Sequence, residues 1–557
     1  MASATKSKIS WRYFKLKQFS LFSSKRIPPN VKESMSELKP LDLNDAQWQV
    51  VTHQGSHLLI VAGPGTGKTH TITYRILRTI AYLKSDQRIL AITFTNKAAQ
   101  EMRSRLEAKN AKFWRQVTVG TFHRFALSLL REFAQHSPLP KDFQIALPAD
   151  IQEFLPEIFP DKNPLERKKT LDEISWVKST HLVIEANSDY QKYHRFLRAR
   201  GLIDFDDILR EALILLENEE ILAAIQARYR YIFVDEYQDI NLIQVALLKV
   251  LVQGGVELTA IGDPNQSIYG FRGSEVKFFN RFEFDFTGAT RLFLSENYRS
   301  TVNLLTASSQ VIAKDNTQKV PEAIAKIYDE GRLVIHEAAT DRAEAEYVAH
   351  QIEQLIGGVS MFSQDSHRVE SYRSAQRSFG DIAILYRLNT QKNVIMEALD
   401  HLGIPYTVSS KPKIKKEDLV NLEQLEKDDV LLQQFEEVLD YKVERVALLT
   451  LHAAKGLEFP VVFIIGCEAK LLPLDINELK GNASEERRLF YVGMTRAKEH
   501  LFLTRAGRRQ IFGQTYFNPP SMFLADIEED LKAYENSKLR RKLSKNKEAE
   551  KQQLKLF

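Results

Sequence analysis

Cysteine is almost missing from this 557-residue chain: the single Cys467 excludes an internal disulfide and a cysteine-based metal cluster, and suits a reducing compartment. No uninterrupted apolar run is long enough to span a bilayer, so no membrane partner is expected. Acids are absent from residues 1–31, which carry Lys6, Lys8, Arg12, Lys15, Lys17, Lys25 and Arg26. The end from Lys538 onward is also basic, with eight cations against Glu548 and Glu550. A net charge of +5 therefore hides ends of +7 and +6 around a body of about −8. Such ends suit contact with a polyanion, or are simply solvated tails. An acid-free basic start could also be an organelle transit peptide.

What the chain does have is ordinary globular composition, 44% apolar and 27% charged, at a length for roughly three or four domains. It is organised around Ala62-Gly63-Pro64-Gly65-Thr66-Gly67-Lys68-Thr69. This stretch follows the apolar Leu58-Leu59-Ile60-Val61 and opens a helix pattern, the strand, turn and helix layout of a phosphate-binding loop. Gly63, Gly65, Thr66 and Gly67 would bring backbone N–H groups to the phosphates. Lys68 would reach the β- and γ-phosphates, and the Thr69 hydroxyl would ligate Mg²⁺. Ala62 stands where the strict pattern has glycine. A glycine-rich turn with no ligand is the plainer alternative.

Downstream, Tyr231-Ile232-Phe233-Val234 runs into Asp235-Glu236. An apolar strand ending in adjacent carboxylates supplies a Mg²⁺ anchor, Asp235, and a base, Glu236, to orient and deprotonate water. Together with the phosphate loop this implies hydrolysis of ATP or a relative. Strands Arg88–Ile92, Val117–Gly120 and Leu258–Ile261 lead into turns bearing Phe94, Thr95, Asn96, Thr121, His123, Gln266, Tyr269 and Phe271. Ligands of α/β proteins bind at such strand ends, and aromatics there suit base stacking, though core burial explains any single one as well. Asn44 or Asp45 caps the first helix; Gln47 could meet an adenine edge. Asp204, Asp206 and Asp207 are expected to cap a helix in preference to holding a metal.

In this order, and continuing through Glu296-Asn297-Tyr298-Arg299, Tyr386-Arg387-Leu388-Asn389, Thr450-Leu451-His452-Ala453-Ala454-Lys455-Gly456-Leu457-Glu458 and Tyr491-Val492-Gly493-Met494-Thr495-Arg496, the motifs resemble the UvrD/Rep branch of superfamily 1 helicases. The resemblance implies an α/β fold: two RecA-like parallel-sheet motor domains of the P-loop NTPase type, with an inserted helical subdomain. ATP with Mg²⁺ would lie between the domains and single-stranded DNA across their top. Carried over by position, Gln47 would read adenine, Tyr298 would stack on it and Glu458 would contact the ribose. Gln266 would sense the γ-phosphate, and Arg299 and Arg496 would act as arginine fingers. Phe94, Thr95, Asn96, Thr121, His123, Tyr269, Phe271, Arg387, Asn389 and His452 would contact DNA.

The expected layout is a basic extension (1–40), a first motor domain (41–137 and 201–294) interrupted by a helical insertion (138–200), a second motor domain (295–412 and 441–528) and a basic tail (529–557). Residues 413–440 stand where relatives insert a large helical subdomain, and are too few for a domain with its own core. His70 stands where relatives commonly carry arginine. The end Gln553-Leu554-Lys555-Leu556-Phe557 resembles the peptide that bacterial replication and repair proteins place in the sliding clamp, with Gln553, Leu554, Leu556 and Phe557 as its anchors; Gln18–Phe22 is a looser copy. The expected activity is ATP-driven translocation on single-stranded DNA with 3′ to 5′ unwinding, engaging single-strand/duplex junctions in repair or replication restart, in a bacterial cytoplasm at the nucleoid. A translocase that strips proteins without unwinding and a non-motor DNA-binding adaptor are the alternatives.

Overall fold

The computed structural model describes residues 39–535 except 56, 110–113, 183, 185–187, 316–320, 330, 358–376, 410–443 and 478. Most of the N-terminal extension, the 413–440 stretch and the clamp-like pentapeptide, Gln553 to Phe557, lie outside the described residues.

The first domain begins with β1 (His57–Ala62), β2 (Arg88–Thr93) and β3 (Val117–Thr121). The insertion is held at its base by β4 (Gln144–Ile145) and β5 (Leu202–Ile203), two-residue strands too short to leave a periodic signal in sequence. β6 (Tyr229–Val234), β7 (Glu257–Gly262) and β8 (Ala289–Leu294) follow. The sheet order is β3-β2-β6-β7-β1-β8, and every pair is parallel. Its central strands are buried on both faces, which is why they read as continuous apolar runs without alternation.

β9 (Glu296–Thr301) pairs with β10 (Ile324–Ile327) and carries the chain into the second domain. There β11 (Arg332–Thr340), β12 (Ile382–Tyr386), β13 (Tyr406–Val408), β14 (Val446–Thr450) and β15 (Phe459–Ile464) precede a small hairpin, β16 (Asp475–Ile476) and β17 (Leu479–Lys480). The long β18 (Ala497–Ile511), β19 (Gln514–Tyr516) and β20 (Ala533–Tyr534) complete it. The order is β13-β14-β12-β15-β18-β11-β20, parallel throughout, with β19 antiparallel on β18. The fold is thus α/β with two parallel-sheet domains of the RecA-like type. β13 and β14 are neighbours in register, Tyr406 beside Val446, so residues 409–445 leave and return at adjacent strands.

One boundary differs from expectation. Ala533 and Tyr534 pair with Val334 and Ile335, and Glu535 binds Arg332 at 2.8 Å and the Tyr347 hydroxyl, so the second domain continues past residue 528. A two-residue strand beside a basic tail has no pattern of its own to announce it.

In the insertion, the helix Pro164–Thr180 buries Lys178 completely. Its ammonium lies 2.7 Å from both Asp204 and Asp207, and Tyr193 donates to Asp204 at 3.0 Å. Burial alone would lower the lysine pKa, but the two carboxylates outweigh it and raise it. Asp204 and Asp207 also form the capping box of the helix Phe205–Leu215, so the acid cluster caps a helix and neutralises a buried cation. Among the described residues no helix is long and apolar enough to cross a membrane.

Candidate nucleotide cleft and nucleic-acid face

The phosphate loop leaves the C-terminal end of β1 with Gly65 and Gly67 in the left-handed region, at φ 70° and 80°. A Cβ on Gly67 would sit 2.8 Å from Gln47 Nε2, and one on Gly65 would sit 2.6 Å from Arg299 Cβ. Glycine is therefore needed for conformation and for close approach. Thr66 donates to Gly63 O at 2.9 Å, closing the turn. Lys68 Nζ donates to Ala62 O and Gly63 O, both 3.1 Å, and its burial lowers its pKa. Thr69 lines the same cleft, whose volume is about 700 Å³.

Asp235 and Glu236 emerge from the end of β6, two strands away. Asp235 is buried and accepts Glu236 N at 2.9 Å; burial and the adjacent Glu236 charge push its carboxyl up to about 7. A buried acid with so high a proton affinity needs positive charge, which suits a divalent cation. Among the described residues no group of three or more His, Cys, Asp or Glu could hold a metal, so a cation here would depend on the nucleotide's own oxygens. Glu236 sits at φ 53°, ψ 42°, a conformation sparsely used by non-glycine residues, and so is aimed by the backbone. Burial would raise its pKa, but Lys455 and Lys68 outweigh that and hold it below the ordinary glutamate value.

The second domain closes the cleft. Asn297 Nδ2 donates to Pro64 O at 2.6 Å and Tyr298 N to Gly65 O at 2.9 Å, so β9 touches the phosphate loop itself. Arg496 is buried and donates to Val492 O, Leu457 O and Gln266 Oε1 at 2.9, 3.2 and 3.2 Å; burial and the neighbouring Arg299 push its pKa down to about 9. Gln266 in turn donates to Asp263 at 2.7 Å. Arg299 pairs with Glu458 at 2.6 Å, and Lys498 meets the same carboxylate at 2.7 Å.

Around the base site, Gln47 donates to Thr66 O at 3.1 Å while accepting from Asn44 N at 3.0 Å. Tyr298 is half exposed, its hydroxyl between Asn44 and Glu296. His70 reaches Asp42 at 3.3 Å and meets Tyr74 edge-on.

Across the top of the domains, Phe94 stacks on Tyr269, with centroids 5.0 Å apart and planes 22° apart. Tyr269 meets Phe271 at 6.0 Å, and Phe271 meets His452 of the second domain at 5.8 Å, edge-on in both cases. Phe271 is exposed. Phe94, Thr95, Asn96, Thr121, His123 and Phe271 line one cleft of about 740 Å³ against the insertion. Burial, aided by Arg272, pushes His123 down to about 3, and burial with Arg387 does the same to His452, so both rings are neutral. Asn389 is exposed. Arg387 is engaged elsewhere in this structure: its guanidinium grips Glu486, with the shortest contact 2.7 Å.

Two side chains escaped the sequence reading. Lys455, from the second domain, binds Asp239 and donates to Gln266 O at 2.6 Å, and lies 5.1 Å from the Tyr269 ring centroid. It therefore bridges the cleft beneath the aromatic row. Gln238 donates to Glu236 and accepts Asp263 N at 3.0 Å, joining the carboxylate turn to the Gln266 turn. Lys455 sits inside a recognised motif and Gln238 just past the Asp235-Glu236 pair; what was missing was the partner of each, across the cleft for Lys455 and on a neighbouring turn for Gln238.

A phosphate loop on one parallel sheet, carboxylates two strands away and arginines from β9 and from the turn before β18 define a two-domain P-loop nucleoside triphosphatase. Residues 43–287 match the UvrD/REP helicase N-terminal domain, and residues 292–419 and 409–508 match the UvrD-like helicase C-terminal domain. The chain belongs to the UvrD/Rep-like superfamily 1 helicases and is an ATP-hydrolysing enzyme. It is similar to the ATP-dependent DNA helicase PcrA of Staphylococcus epidermidis, 29% identical over 88% of this chain and 87% of the relative. PcrA of Bacillus subtilis is 28% identical over 88% and 86%. These alignments run to 655 and 659 positions, longer than this chain's 557 residues, so the relatives carry sequence for which it has no counterpart.

Proposed function

We propose that the chain is an ATP-driven single-stranded-DNA translocase and 3′ to 5′ DNA helicase that acts in DNA repair or replication restart. The observation that carries this reading is the aromatic row Phe94, Tyr269, Phe271 and His452. It crosses from the first domain to the second directly above Lys455, which spans the nucleotide cleft. Stacking is worth about 1–3 kcal/mol per base and tolerates any sequence, as stepping requires. Opening and closing the cleft changes the spacing of stacked positions on the two domains, so nucleotide state and grip on the strand are one motion.

In the cleft, the phosphate loop and Lys68 hold the phosphates, and Thr69 and Asp235 are the residues that would hold Mg²⁺, which supplies charge neutralisation when bound. Glu236 orients the attacking water and takes its proton. Gln266 reports the γ-phosphate, and Arg299 and Arg496 face the charge that develops on it. Glu458 holds both Arg299 and Lys498 in this structure; Gln47, Tyr298 and His70 form the base side. Thr95, Asn96, Thr121, Arg387 and Asn389 contribute polar contacts to the strand.

The test is strand separation on duplexes bearing only a 3′ or only a 5′ single-stranded tail. Unwinding of the 3′-tailed substrate, at least about tenfold faster than of the 5′-tailed one, is the expected result; preference for the 5′ tail overturns the polarity. A protein-stripping translocase that does not unwind is the second reading. It is favoured by the sequence that relatives carry and this chain lacks, and DNA-stimulated ATP hydrolysis without unwinding would establish it.

The reading extends to a sliding-clamp partner through Gln553, Leu554, Leu556 and Phe557, in a bacterial cytoplasm at the nucleoid. Deleting residues 553–557 is expected to abolish capture by immobilised clamp while leaving DNA-stimulated ATPase within about twofold of the parent. Undiminished capture rejects the motif.

A further inference from the structure

The cleft that gathers the first domain's strand-contacting residues has a second wall, made by the helical insertion. On that wall stands Trp176, an indole 49% exposed on the helix Pro164–Thr180. This half-exposed ring leaves a large apolar face open on the cleft wall. The neighbouring positions on this helix turn inward: Ile174 and Lys178 are buried, and Trp176, midway between them, points away from that core.

The helix that carries Trp176 is fixed. Lys178 is clamped by Asp204 and Asp207, and Ser175 donates to Asp206. Arg210 donates to Lys178 O and His181 O at 3.0 and 2.6 Å. The indole meets His181 at its edge, with centroids 5.6 Å apart. An aromatic face held this way loses little entropy when a planar ligand stacks on it.

The rest of the cleft suits a nucleobase. His123 is stacked on Phe205 at 3.8 Å, and Phe94 and Phe271 reach the same space. The Arg272 guanidinium lies 5.6 and 5.5 Å from the Tyr269 and Phe271 centroids, placing a cation beside the aromatic row. The insertion abuts this row directly: a Cβ on Gly273 would come within 2.8 Å of Thr180 Cγ2 at the end of the Trp176 helix.

We infer that Trp176 is a stacking platform, supplied by the helical insertion, for a nucleobase of the bound single strand beyond the Phe94, Tyr269 and Phe271 row. This rests on the single-strand reading above and adds a subsite to it. The strand then runs between two domains' walls, not over the motor domains alone.

The experiment uses the full chain, with its four tryptophans, and oligothymidylate, which stacks without pairing to itself. Binding is read by anisotropy of a labelled oligonucleotide and, separately, by quenching of intrinsic tryptophan fluorescence. In the parent chain, quenching accompanies binding. Trp176→Phe is expected to remove most of that quenching while keeping affinity within about threefold, because phenylalanine still stacks. Trp176→Ala is expected to weaken binding about five- to hundredfold, the range for loss of one stacked base. Quenching that persists in Trp176→Phe, or Trp176→Ala binding as tightly as the parent, overturns the subsite while leaving the single-strand reading intact. A parent chain that does not bind the oligonucleotide overturns both. Should Trp176→Ala misfold, shown by a lowered thermal midpoint, the phenylalanine variant alone decides through its quenching.

Discussion

Glu236→Gln is expected to leave nucleotide binding within a few fold of the parent and to lower DNA-stimulated ATP turnover by about 10²–10⁴-fold, the usual worth of a positioned general base. The amide matches the carboxylate in size, so the left-handed turn at φ 53° and the packing of Asp235 can persist. What disappears is the proton acceptor and its charge. Lys455 and Lys68 hold Glu236 below the ordinary glutamate range although it is partly buried, so in the parent it is ready as a base across the neutral range. Gln238 donates to this side chain, and the variant amide can still present its oxygen to that donor by rotating. Fluorescent-nucleotide titration and steady-state phosphate release with saturating single-stranded DNA check this. Turnover retained within tenfold would remove Glu236 from the role of base and leave it as a partner of Gln238 and Lys455.

The fold class was legible because parallel sheets buried on both faces leave a strong signal. The runs Leu58–Val61, Ile89–Ile92 and Ile232–Val234 are apolar throughout and each ends in a polar turn. Order along the chain then placed those turns on one edge of one sheet. The cleft was legible at the level of which residues approach it. Which side chains satisfy one another was not, since motif reading assigns each residue to a ligand and carries no distances. Arg387 spends its fork on Glu486, Glu458 holds Arg299 and Lys498, and Gln47 is bonded at both ends within the protein. Lys178 is a sharper case. In a helix dense with charge it reads as solvated, and only the return of Asp204 and Asp207, a domain wall away in sequence, makes its burial affordable.

These engagements have a consequence for the reaction cycle. Ligands that Glu458 and Gln47 are expected to meet must displace partners the protein already supplies, so part of the nucleotide's binding energy goes into breaking the Arg299–Glu458 pair. On the proposed reading, nucleotide would release Arg299 from the Glu458 pair that holds its charge in this structure. Arg496 is built differently: all of its recorded partners are neutral oxygens, and it is already aimed at Gln266.

Arg496→Ala is therefore the second substitution with a large expected effect: a loss of about 10³–10⁵ in kcat for DNA-stimulated hydrolysis, the range for a positioned arginine facing the transferred phosphoryl group. The side chain is buried, with its pKa brought down to about 9 by burial and Arg299, which still leaves it charged at neutral pH. A cation kept in so dry a setting, 3.2 Å from a glutamine that faces the same cleft, acts where charge is least screened. Alanine would also strand Leu457 O and Gln266 Oε1, while Val492 O keeps the Thr495 hydroxyl, so some loss of stability is expected, about 1–3 kcal/mol for buried acceptors left without donors. Arg496→Lys separates the two effects. Lysine restores the charge and some of the hydrogen bonding but cannot span Val492, Leu457 and Gln266 together, so it should recover most of the thermal midpoint and little of kcat. Nucleotide affinity should change far less than kcat in both variants, because the arginine's contribution belongs to the transition state. Recovery of full turnover in Arg496→Lys would show that charge alone suffices there, and an alanine variant whose only defect is a lowered midpoint would make Arg496 a structural tie between the two domains.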